Sequence, residues 1–211
     1  PMPGMNMSDQ PLSQLHGLVW TGLLAALMVV GAYVHFPLGP VPISMQVCFV
    51  LLSGFVLGPL GGMLAVLLYI LAGLVGLPVF YGGTSGFAHI LGPTGGYIMG
   101  FVFTPLITGH SQKAGARSLS WGRGVIFGFL GYVPIYALGL IWLKTTLAIS
   151  WGKAVGVGML PFLPSDVLQV AASVSAARVL IRQDLLPPLL RLSQFSFAAG
   201  KTEKRPFTRT E

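Results

Sequence analysis

The stretch "LLSGFVLGPLGGMLAVLLYILAGLVGLP", residues 51–78, decides the fold. It carries no charge and could pass for one long apolar run, but Pro59, Gly61 and Gly62 interrupt it. Proline removes a backbone donor and glycine weakens a helix. The run therefore divides into two short segments, 45–58 and 62–78, with a further stop at Pro78, Gly82 and Gly83. Each falls short of the roughly 20 helical residues that cross a bilayer core. Irregular backbone at membrane depth is tolerated only where protein buries it or where it lines a cavity. Short segments broken by Gly and Pro therefore point to a binding site.

Outward from this stretch the chain stays oily. Its 211 residues are 54% hydrophobic and 8% charged, against about 25% charged in a soluble domain. No Lys, Arg, Asp or Glu occurs between Asp9 and Lys113, which excludes a water-facing surface over that length. The apolar segments are 17–36, 45–58, 62–78, 94–109, 123–147 and 159–181. The first is long enough to span and no small-residue cleavage pattern follows it, so it reads as a helix and not a signal peptide. The expectation is an all-α integral membrane protein with six transmembrane helices. With six spans, ten Lys/Arg fall on the side of both termini, and only Lys144 and Lys153 on the other. This positive-inside bias makes the N and C termini cytoplasmic, in a multi-pass protein of the cytoplasmic membrane. It also accounts for the net charge of +7. No nucleic-acid partner is expected, because the basic residues flank spans and are not interleaved with stacking aromatics. The chain divides into a cytoplasmic N-terminal segment, 1–16, a transmembrane substrate-binding domain, 17–182, and a basic, disordered cytoplasmic tail, 183–211. Cys48 is the only cysteine, so an intrachain disulfide and a cysteine metal site are excluded, and it is expected as a buried apolar thiol. No cofactor or metal is expected.

This topology sends the most turn-rich loops, 37–44, 79–93 and 148–160, to the outer face. They combine Gly, Pro, aromatics and a few uncharged hydrogen-bonding groups, the composition of a small-molecule pocket. "GPTGGY", residues 92–97, places Pro93 as the first residue of the fourth helix. Thr94, Gly95 and Gly96 then present backbone N–H groups at a helix N-terminus, which suits an anion, with Tyr97 as an aromatic wall. The alternative is a tight loop with close helix packing. Asp166, in "PFLPSDVLQ", is the one acid inside an apolar segment. An acid in the membrane is a site candidate by default; the competing role for Asp166 or Ser165 is to cap the sixth helix. Gln169 lies one turn later on the same face, and Gln46 follows the "VPIS" loop. Ser44, Phe80 and Thr84 complete the expected substrate-binding set, with His89 as a cavity wall or a loop cap. On the first helix, Gly22, Ala25 and Ala26 form a small-residue stripe suited to close packing, internal or against another chain.

The runs "GPVPISMQ", "GPLGGMLAVLLYILAGLVGLPVF", "GLPVFYGGTSGFAHILGPTGGYIMGF" and "GMLPFLPSDVLQ" together resemble the BioY family, the biotin-specific substrate-binding component of energy-coupling-factor (ECF) transporters. They cover about 39–104 and 158–170. The resemblance implies a six-helix bundle that captures biotin from outside and no enzymatic activity in this chain. It also implies a transmembrane coupling subunit and separate ATP-binding subunits as partners, the coupling subunit meeting an Ala-x-x-x-Ala type stripe, here Gly22-x-x-x-Ala26. One departure is Gln169, where the family pattern commonly has Lys. Three rivals stand beside this reading. "GTSG" at 83–86 fits the Gly-x-Ser-Gly pattern of a rhomboid protease with Ser85 as nucleophile, but the sixth segment holds no His. A stand-alone or secondary transporter of a biotin-like vitamin would need more buried acids than Asp166. A structural membrane protein would not need its turn-rich loops on one face.

Overall fold

The computed structural model describes residues 10–37, 40–111, 118–183 and 185. Helix α1 spans Gln10–Tyr33, starting ahead of the expected Gly17. Pro11 is no obstacle there, because the first turn of a helix tolerates proline. Leu24, Met28 and Ala32 are fully buried, while Leu18, Leu23 and Val30 stay exposed. Two short strands follow, β1 at His35–Phe36 and β2 at Ile43–Ser44, paired antiparallel with His35 opposite Ser44.

Helix α2, Gln46–Leu74, is two helical arms joined at Gly58, whose φ of 76° and ψ of −175° no helix contains. A straight helix would separate Gly54 from Gly62 by about 12 Å. Here a Cβ on Gly62 would lie 2.8 Å from the Gly54 nitrogen, and the Ser53 hydroxyl reaches the Gly62 carbonyl at 3.4 Å. The chain doubles back on itself, and only glycine permits both the positive φ and the contact. The break is at Gly58, just before Pro59, as the sequence led one to expect.

A 3₁₀ turn, Tyr81–Gly83, and a short helix α3, Phe87–Leu91, lead to α4, Gly95–Thr108, so the fourth helix starts after Thr94 and not at Pro93. Helix α5 runs Trp121–Leu147 and ends at Ala148 in the left-handed conformation, φ 52°. Ser150 then caps α6, Trp151–Gly158, accepting from the Lys153 N–H. The segment expected as an open loop is thus largely helical, because the serine cap restarts a helix at once. A 3₁₀ turn, Leu160–Phe162, leads into α7, Leu163–Arg182. The tail expected over 183–211 lies outside the described residues, apart from Gln183 and Leu185.

Among the described residues, four helical stretches are long and apolar enough to cross a membrane: Leu15–Tyr33, Gln46–Leu74, Trp121–Leu147 and Trp151–Arg182. The protein is a mostly helical membrane protein. Small residues set its closest contacts. Gly96 and Gly100 bring α4 against the backbone of α5 at Leu138 and Ile135. Gly124 and Gly128 of α5 take the side chains of Val174 and Val170 from α7. With no water to expel between helices, such close van der Waals contact and interhelical hydrogen bonds hold a membrane bundle. One such bond, Thr104 Oγ1 to the Gly131 carbonyl at 2.9 Å, ties α4 to α5.

Candidate functional site

The arms of α2 pack against α4 and α7, and α5 packs against α4, α6 and α7. Between them lies a cavity of about 670 Å³, its open mouth included. Its walls are the β2 end of the first loop, the start of α2, Tyr69 of the second α2 arm, Tyr81, His89, α4, α5 and the start of α7.

Asp166 and Gln169 sit one turn apart on α7, 5% and 3% exposed, and both line the cavity. Asp166 accepts a hydrogen bond from the Tyr136 hydroxyl of α5. The capping alternative is removed: α7 begins after Phe162 with no side-chain cap, and Ser165 donates to the Phe162 carbonyl at 2.8 Å. Gln169 accepts from the Cys48 backbone N–H through Oε1 at 2.9 Å. Cys48 is in the first turn of α2, which lacks a side-chain cap of its own at Met45. Gln169 therefore caps α2 from a helix 121 residues away, satisfying an N–H that the helix itself cannot. The bond also fixes the amide's orientation, leaving its nitrogen as a donor.

Gln46 opens α2 and is 5% exposed. Its Nε2 is buried with no hydrogen bond of normal geometry, lying beside but poorly aligned with the Tyr69 hydroxyl. Such a donor costs free energy until an acceptor meets it. The Tyr132 hydroxyl, next to Asp166, is likewise buried without a well-formed bond. Tyr132 and Tyr136 stack at 5.8 Å. Both tyrosines, with Tyr69 and Tyr81, line the cavity and were missed in the sequence. The i, i+4 spacing of two hydroxyls inside an apolar span was the available signal.

The loop wall is built differently. The His89 ring stacks on Phe80, centroids 4.8 Å apart, and Phe80 packs edge-on against Tyr69. Thr84 Oγ1 donates to the Tyr81 carbonyl at 2.8 Å and lies 2.8 Å from His89 Nδ1. A hydroxyl has one proton to give. Assigning the Thr84 proton to the Tyr81 carbonyl makes His89 Nδ1 the donor to Oγ1 and leaves Nε2 as the free acceptor. Burial holds His89, in α3 outside the spans, below the ordinary imidazole range.

The expected residues thus divide. Ser44, Gln46, His89, Thr94, Tyr97, Asp166 and Gln169 line the cavity. Phe80 does not; it is wholly buried behind His89, in the space that Gly73 leaves open. Thr84 orients His89 instead of lining the chamber. The anion-receptor reading of Gly95 and Gly96 is corrected too. The Gly95 N–H donates to the Gly92 carbonyl at 3.1 Å. A Cβ on Gly95 would overlap the Ile90 carbonyl, and one on Gly96 would overlap the Leu138 carbonyl and Trp142. These glycines are a packing joint. Tyr97 commits its hydroxyl to the Gly158 carbonyl at 2.9 Å. On α1, Ala25 is buried in the core, so it is no partner surface, whereas Ala26 is exposed and Gly22 has open space beside it. Cys48 is a buried thiol.

Fold and cavity together define a helical membrane protein built around a chamber lined by aromatic side chains and a few buried polar groups. Residues 5–184 match the model of the BioY family. The chain is 40% identical over 161 residues to the probable biotin transporter BioY of Pyrococcus horikoshii, covering 75% of this chain and 91% of that protein. It is 44% identical over 123 residues to the biotin transporter BioY of Thermotoga maritima, covering 58% and 71%. A crystal structure of the S-component for biotin from an ECF-type ABC transporter superposes with a TM-score of 0.73 at 28% identity, covering 85% of this chain and 96% of that one. The chain belongs to the BioY family.

Proposed function

We propose that this protein captures biotin in the cavity and serves as the substrate-binding component of an ECF-type transporter, with separate subunits hydrolysing ATP. The relatives' names and the S-component likeness support this. The observation that carries it is a buried carboxylate facing the same chamber as a buried amide donor that makes no well-formed hydrogen bond. A urea has two N–H donors and one carbonyl. Asp166 is the acceptor for the N–H groups, a charge-assisted contact about twice as strong as a neutral one. Gln46 Nε2 offers the carbonyl the bond it lacks. The serine-protease rival finds no support, because among the described residues no hydrogen bond joins Ser85 to His89, whose Nδ1 lies against Thr84. Calorimetric titration of the purified protein with biotin and dethiobiotin tests the reading. Saturable heat is expected for biotin, and its absence would refute biotin as the ligand.

The chain crosses the membrane six times in this proposal, counting both arms of α2, with both termini cytoplasmic. The Gly22/Ala26 face of α1 meets the coupling subunit. Arg178 lies over Trp121 at 5.4 Å and Lys144 over Trp151 at 5.3 Å, anchoring opposite ends of α5 at the two interfaces. On intact cells, Phe87→Cys should react with a membrane-impermeant thiol reagent and Ser118→Cys should not. The reverse pattern would invert the topology.

A further inference from the structure

Resting on the biotin reading, we propose that His89 receives the ligand's carboxylate and takes up a proton as it does so. A carboxylate entering this cavity needs a cation or strong donors, and among the described residues no Lys or Arg lines it. At the start of α4, the site the sequence suggested, Gly95 and Gly96 pack against Ile90, Leu138 and Trp142, and of the three residues expected there only Thr94 lines the cavity. His89 is the one basic side chain among the lining residues.

Its surroundings decide its state. Nδ1 is tied to Thr84 as a donor, so the nitrogen left to a ligand is Nε2. In the neutral ring Nε2 is an acceptor, which repels a carboxylate. The two can meet only if Nε2 takes a proton from solvent, giving an imidazolium that donates to the carboxylate. The titratable groups around the ring are Tyr81, at 6.5 Å between centroids, His35, edge-on to Tyr81, and Tyr69 behind Phe80. Asp166 is held on another wall by Tyr136. Burial keeps the free ring neutral. A ligand carboxylate beside Nε2 favours the charged form. Affinity for the ionised ligand therefore rises as pH falls through the bound-state pKa, and levels off below the lower free-state pKa. Asp166 and His89, on separate walls, suit a ligand with its urea and carboxylate at opposite ends.

The test is calorimetry of the full chain in detergent, at one pH, in two buffers of different ionisation enthalpy. The expected result is uptake of about one proton per biotin and none for biotin methyl ester. His89→Gln should abolish the uptake and weaken biotin about ten- to 100-fold, with the ester affected far less. If that variant loses both ligands by misfolding, the buffer comparison on the parent protein still decides. Equal heats for biotin in both buffers overturn the role of His89 and leave the biotin site standing. No binding of biotin at all overturns both.

Discussion

Residues 92–97 and residues 161–169 share one pattern, a proline-containing turn and the start of a helix between apolar runs. Both border the cavity. In the first, the glycines carry no side chain, so neighbouring elements move into the space and α5 seats against α4. Its helix-start chemistry is used internally, with the Gly92 carbonyl accepting from both the Gly95 N–H and Trp142 Nε1. In the second, Asp166 and Gln169 cannot be covered by apolar neighbours without cost. They sit at a seam where Tyr136 and the start of α2 supply partners and the chamber supplies room. Small residues at a helix start build a joint; buried polar side chains build a site.

The sharpest way to break this contrast is Asp166→Asn. It should weaken biotin by about 1.5–3 kcal/mol, the range for a hydrogen bond to a charged group, with little change in melting temperature. Unchanged affinity in a titration would mean that Asp166 is structural. Gly96→Leu should do the opposite. Its side chain meets the Leu138 carbonyl and Trp142, so thermal stability should fall by about 1–3 kcal/mol from overpacking. A stable variant that lost only biotin would restore the N-terminus of α4 as a ligand site.

Gln169→Lys is the next test, and smaller. Lys has no acceptor, so the Cys48 N–H loses its cap and stability should fall by about 1 kcal/mol, as for other lost caps. Gln169→Glu keeps the acceptor and should melt closer to the parent. Equal melting of the Lys variant and the parent would show the cross-helix cap to be worthless. The smallest intrinsic effect is expected at Gly22→Leu, where an added side chain meets open space. Stability should stay within about 0.5 kcal/mol and binding should be unchanged, while uptake in cells carrying the coupling subunits should drop. Loss of binding in isolation would make this face internal.

By itself the sequence determined the membrane class, the break beside Pro59 and the pairing of Asp166 with Gln169. These are local properties. Absence of charge needs no partner, Gly58–Pro59 interrupts any helix, and an i, i+3 spacing sets one face. Only the tertiary structure decided which helix start is a joint and which a site. It also sent Ala25 inward and left Ala26 outside, brought Tyr132 and Tyr136 to Asp166, and gave Gln169 to the N–H of Cys48. The reason is directional. Hydropathy and turn chemistry are scalars read along the chain, whereas a hydrogen bond needs a partner at one distance and angle. For Gln169 that partner lies 121 residues away, placed by the packing of α7 on α2.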